Sequence, residues 1–199
     1  LPGNMALAVN PDLTYKRYYV NGEHMISLLD FEGCELTGTF TGRELTRFKY
    51  HPLFGDGECL PVYAADFVKN DKTGVVHIAP AFGADDYDLF MKHTPDERIV
   101  CHVSPDGRFN DEAPEPLRGR KLAEKTFNAT NVLVRNLLGD RVFKTEEYTH
   151  QYPHNWRTGR PLIYLLRPSW YFATTKIKEA MLAANAKVDW HPSHVKDGR

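Results

Sequence analysis

One stretch constrains this chain more than any other: Thr73-Gly74-Val75-Val76-His77-Ile78-Ala79-Pro80-Ala81-Phe82-Gly83-Ala84-Asp85-Asp86-Tyr87. The run Gly74 to Ala79 is β-branched and bounded by Gly and Pro, which predicts a strand. Pro80 and Gly83 then demand a loop. Asp85 to His93 predicts a helix with acids in its first turn, where the helix dipole favours them. A strand end, a loop and a helix start place side chains and free backbone N–H groups around one concave spot. The imidazole of His77 and a carboxylate of Asp85 or Asp86 can converge there. The same residues also have a non-functional account. First-turn acids are favoured by capping and the dipole alone, and His77 can be a core histidine held by a hydrogen bond.

The surrounding pattern is one of short strands. Met5 to Val9 is an apolar run closed by Asn10-Pro11-Asp12. Tyr15 to Val20 is aromatic-rich, and Asn21-Gly22 after it signals a hairpin returning through His24 to Leu29. Gly38 to Gly42, Phe48 to Tyr50 and Leu60 to Ala65 suggest three more strands. Asp106-Gly107 reads as a turn. Helical spacing appears over Leu122 to Leu138, at Phe127, Val132, Leu133, Leu137 and Leu138, with Gly139 as its stop. Leu162 to Leu166 is an apolar run, and Ser169 to Ala184 gives a further helical pattern. These elements predict an α+β fold, a β-barrel-like core of short strands with peripheral helices. No internal repeat is visible.

Composition narrows the function. The formal net charge is −1, so there is no global basic field, although local patches suffice for RNA. Three cysteines, Cys34, Cys59 and Cys101, with no C-x-x-C pair, argue against a disulfide framework and suit a reducing cytoplasm. No run approaches the ~18 apolar residues of a membrane span. A first residue other than Met, and a last stretch Lys196-Asp197-Gly198-Arg199 without a stop to the pattern, lead us to expect an excised piece of a larger protein.

Other chemistries find little support. His150 and His154 are four apart, but Pro153 between them opposes a helix, and His191 and His194 are no better placed for a metal. There is no G-x-S-x-G, P-loop or dinucleotide fingerprint. Cys101 and His102 are neighbours and would point to opposite faces of a strand.

The block Gly74 to Asp86 closely resembles the signature of the editing domain inserted in isoleucyl-tRNA synthetases, the class I connective peptide 1. Leu1 to Pro11 resembles the segment after that family's threonine-rich peptide. Pro161-Leu162-Ile163-Tyr164 with Arg167-Pro168-Ser169-Trp170-Tyr171 resembles the segment leading back to the catalytic domain, and Trp190-His191-Pro192 to Arg199 the re-entry point. The resemblance runs nearly end to end. Valyl and leucyl relatives differ at the positions of His77 and Phe82, which favours the isoleucyl reading.

The resemblance implies a hydrolase that removes valine wrongly attached to tRNA(Ile), and valyl-adenylate as a further substrate. A hydrophobic pocket gains only about 1–3 kcal/mol from the extra methylene of isoleucine, so a second pocket is expected to admit valine, exclude isoleucine by size and hydrolyse the ester. Asp86 is expected to hold the substrate's α-ammonium group, and His77 to line the pocket and position the terminal adenosine or the attacking water. Asn4, Thr73, Gly74, Ala79, Phe82 and Asp85 are expected to contribute to substrate binding. No metal or cofactor is expected for this reaction, ATP and Mg belonging to the aminoacylation domain; Asn155 and Thr158 stand where relatives often carry a Cys-x-x-Cys knuckle. Expected partners are the 3′ end of tRNA(Ile) carrying valine and the parent catalytic domain, for a cytoplasmic monomer without a membrane. Residues 1–148 are expected to form the domain core, and 149–199 a return segment partly packed on it. Two other readings stay open: a non-catalytic tRNA-end-binding or scaffold fragment lacking the threonine-rich wall, and the editing domain of a valyl or leucyl relative.

Overall fold

The computed structural model describes residues 2–20, 22–54, 57–123, 127–147 and 149–197. Leu1, Asn21 of the expected hairpin turn, Glu124 to Thr126 of the expected third helix, and Gly198-Arg199 lie outside the described residues.

Among the described residues, seven strands form two sheets. The strands are β1 (Ala6–Val9), β2 (Thr14–Val20), β3 (Glu23–Ser27), β4 (Glu35–Thr41), β5 (Lys49–Tyr50), β6 (Leu60–Ala64) and β7 (Val75–Ile78). One sheet has the order β5-β6-β1-β7 and the other β3-β2-β4. In the first, β1 runs parallel to β6 and antiparallel to β7, with Leu7 opposite His77. In the second, Tyr15 of β2 stands opposite Phe40 of β4. With helices α1 (Gly42–Leu45), α2 (Ala84–His93), α3 (Asn128–Leu138) and α4 (Lys178–Ala186), the fold is α+β as the strand and helix pattern predicts. The expected barrel-like closure is corrected: among the described residues the strands make two open sheets. Each keeps two edges, and a backbone bond from Leu28 N to Thr73 O (2.8 Å) ties their margins together.

Alternation along β7 explains what that strand covers. Val76 and Ile78 pack with Ala6, Ala8, Tyr63, Leu89 and Phe90, a core between the first sheet and α2. Val75 belongs to a second cluster with Val9, Tyr15 and Leu45, where the two sheets meet. Period two therefore leaves His77 on the face away from the α2 core. Tyr15 is fully buried, and its hydroxyl donates to Gly74 O (2.8 Å) and accepts from Asn10 N (2.9 Å), so this buried hydroxyl is satisfied.

A third cluster lies under α3 and includes Val103, Phe109, Leu117 and Val134. Here the expected spacing holds in part: Leu133, Leu137 and Leu138 pack against this cluster, and Val132 does not. The helix begins at Asn128, Val134 is its buried residue, and Val132 is 46% exposed. The second helical pattern also starts late: residues 169–173 are not helical, a 3-10 turn covers Thr174–Ile177, and α4 follows.

Contacts divide the chain into Leu1–Leu166 and Arg167–Arg199. Residues 149–166 group with the first unit. Within the first unit, Leu166 N donates to Ala81 O (2.8 Å). The second unit holds α4 and two 3-10 turns, and exposes Trp170, Tyr171 and Phe172.

Candidate active site

Helix α2 starts at a glycine. Gly83, in extended backbone, is the residue before its first turn, and it offers no side-chain cap. Asp86 sits in that first turn, and its Oδ2 accepts a hydrogen bond from Ala79 N (2.8 Å), just beyond β7. A Cβ on Gly83 would come within 3.1–3.3 Å of the Asp86 carboxyl group, so the missing side chain leaves the room in which the carboxylate folds back. Burial pushes the Asp86 carboxyl above the ordinary carboxylate range; the Ala79 N–H opposes this and the Asp85 charge adds to it. Among the described residues, Oδ1 has no hydrogen-bond partner.

Asp86 faces a cavity of about 770 Å³, within the range of small-molecule sites. His77, Ala79 and Phe82 line the same space. Four sequence-predicted residues are therefore together: a half-buried carboxylate, an imidazole, a small wall residue and an aromatic ring. The far walls come from residues that local sequence reasoning did not select. These include His102, Phe109, Val134, Arg135, Tyr152 and Tyr164. Burial pushes the His102 imidazole below its ordinary value, and its buried Nδ1 has no partner among the described residues.

The other predicted residues stand elsewhere. Thr73 and Gly74 are at the opposite end of β7, where Gly74 has a φ of 71° and Thr73 O receives Leu28 N. Asp85 is exposed and lines a shallow depression with Asp88 and Lys92. Asn4 lines an adjoining cavity of about 740 Å³ that shares Pro2 and His102 with the first. Its Nδ2 donates to Ala6 O (2.7 Å) and Ile78 O (3.3 Å), and its Oδ1 accepts from the Tyr50 hydroxyl. That carboxamide joins β1, β5 and the end of β7. Burial pushes the Tyr50 hydroxyl well above its ordinary value.

Among the described residues, no three His, Cys, Asp or Glu side chains gather as a metal site would require, and no helix is long and apolar enough to cross a membrane. The stretch at Asn155 is a hydrogen-bonded turn. Asn155 Oδ1 accepts from Arg157 N (3.0 Å), Thr158 N (2.9 Å) and Thr158 Oγ1 (3.2 Å).

No family model matches the chain. Individual proteins do. An isoleucine–tRNA ligase of Nocardia farcinica is 35% identical over 215 residues, covering 100% of this chain and 20% of that protein. Those of Rickettsia canadensis and Treponema pallidum are each 38% identical, covering 99% and 100% of this chain and 19% and 20% of theirs. A solved structure described as the crystal structure of GlLeuRS-CP1 is similar at 22% identity and a TM-score of 0.42, over 48% of this chain and 42% of that one. The likeness to these ligases makes the chain an aminoacyl-tRNA synthetase sequence throughout. It belongs to the isoleucine–tRNA ligase family, and spans about a fifth of the length of the curated relatives it matches.

Proposed function

We propose that the cavity beside Asp86 is an editing site that hydrolyses the ester linking valine to tRNA(Ile). The observation that carries this is the anchored carboxylate. Oδ2 is held by Ala79 N, Oδ1 is uncommitted among the described residues, and the whole group faces the cavity that His77 also lines. An ammonium group arriving there would meet a half-buried acceptor in a low dielectric, where a charge-assisted hydrogen bond is strong. It would also draw the raised carboxyl pKa down and keep the group ionised.

With the amino end fixed, the ester carbonyl lies within the cavity, and a water attacks its carbon. The bond from that carbon to the ribose oxygen breaks, the ribose oxygen takes a proton, and free valine and tRNA leave. His77, which lines the same cavity, orients the terminal adenosine or this water in this reading, and positioning supplies most of the rate. The reaction asks no metal or cofactor of this chain. The partners are the aminoacylated 3′ end and the remainder of the synthetase, in the cytoplasm.

Rejection of isoleucine belongs to a subsite, because a space of about 770 Å³ exceeds any one side chain. Ala79 and Phe82, next to the Asp86 anchor, are the walls best placed to form it.

Incubating the chain with Val-tRNA(Ile) tests the proposal. Ester loss above the buffer rate, abolished by Asp86→Ala, is expected. Unchanged deacylation by Asp86→Ala refutes the anchor, and no turnover by the parent chain favours the scaffold reading.

A further inference from the structure

Among the described residues, one lysine or arginine that lines the cavity has neither an ion pair nor a side-chain hydrogen bond. Helix α3 turns a long face to this space: Thr130, Val134 and Leu138 recur at intervals of four, with Asn131 and Arg135 one step along. Val134 is buried in the apolar cluster beneath, and Thr130 Oγ1 donates to Leu122 O (2.8 Å), so the face is fixed in rotation. Arg135 is exposed and lines the cavity, so it stands at the rim. Among the described residues it makes no ion pair and donates no side-chain hydrogen bond. The other lining cation, Lys144, is paired with Glu146. A cation in a helix's last turn is favoured by the dipole, which accounts for an arginine on α3 but not for its standing at the rim of this cavity.

The cavity thus carries an anion, Asp86, and an uncommitted cation, Arg135. We infer that Arg135 binds the phosphate 5′ to the ribose that bears the aminoacyl ester. This rests on the editing reading. An aminoacyl nucleotide has the matching order of charges: ammonium, then ester and ribose, then phosphate. A guanidinium fork suits a phosphodiester because it offers two parallel donors. Arg135 would then fix the nucleotide end while Asp86 fixes the amino acid end, and the ester is held between two anchors.

The test uses the 199-residue chain and two non-hydrolysable probes, 3′-valylamino-3′-deoxyadenosine with and without a 5′-phosphate, titrated by calorimetry. In the parent chain the phosphate should tighten binding about five- to tenfold, the scale of one charge-assisted contact near a surface. Arg135→Gln should erase that gain and leave the affinity for the unphosphorylated probe unchanged. Arg135→Lys should recover part of it. An equal gain from the phosphate in the parent and Arg135→Gln chains, or no gain in the parent, overturns the inference. Melting curves of the variants show whether a loss reflects folding: a purely structural role would weaken both probes alike, and this too overturns it. Failure of the editing reading shows separately, as intact Val-tRNA(Ile) in the deacylation assay whatever the phosphate does.

Discussion

Oδ2 of Asp86 and the backbone N–H of Ala79 form a 2.8 Å hydrogen bond that ties the first turn of α2 to the end of β7. The bond aims a carboxylate at the cavity and keeps it half-buried, so the same contact that orients the group also makes its charge costly.

That cost has a pH signature. Burial raises the folded-state pKa of Asp86 above its ordinary value of 3.8. The protonated form is therefore favoured by folding, and the stability it gives is fully present below the unfolded pKa and lost as pH rises through the folded one. Asp86→Asn keeps an oxygen to accept from Ala79 N and never ionises. Its stability should match the wild type near pH 3 and exceed it increasingly above about pH 4, until the folded group is fully ionised. Urea unfolding of both proteins across this range checks the prediction; a stability difference independent of pH contradicts it.

Gly83→Ala should separate orientation from folding. The new Cβ would stand 3.1 Å from Asp86 Cγ, at the end of a side chain that can shift, and the extended backbone there tolerates alanine. Stability should change by less than about 1 kcal/mol. Deacylation should fall by about tenfold or more, because small misplacements of an anchoring group cost rate steeply. Parallel denaturation and deacylation measurements decide, and full activity would show that the carboxylate position is not critical.

Gly74→Ala should do the opposite. Its φ of 71° disfavours a side chain, and a Cβ would lie 2.3 Å from Leu28 Cδ1 and 2.4 Å from Leu28 Cγ, beside Tyr15. Left-handed strain and overpacking at the junction of the two sheets should together cost about 2–4 kcal/mol. Chemical denaturation measures this. A loss below about 1 kcal/mol would mean the junction is looser than the packing indicates.

What the sequence revealed follows the range of the forces involved. The strand β7 and helix α2 were legible because β-branched residues, Pro80 and Gly83 act within a few positions. The meeting of Asp86, His77, Ala79 and Phe82 followed from that local geometry. The far wall did not: Arg135, Tyr152 and Tyr164 are more than 40 residues from Asp86 in the chain, and only tertiary packing brings them to the cavity. The same limit touches α3, where Leu133, Leu137 and Leu138 pack as their spacing anticipates but Val134, not Val132, is the buried position. Sheet closure was misjudged because strand pairing depends on partners such as β1 and β6, which lie about 50 residues apart. Asn4 shows a further limit. Its residue type suits a ligand contact, and its carboxamide also bonds Ala6 O, Ile78 O and Tyr50, partners that tertiary packing assembles.

The most direct measurement is a crystal structure of the chain with a non-hydrolysable valyl-adenosine analogue. The account predicts the valyl ammonium nitrogen about 3 Å from Asp86, with the Ala79 bond intact and the adenosine beside His77. An analogue bound with its ammonium group away from Asp86, or seated outside this cavity, would contradict it.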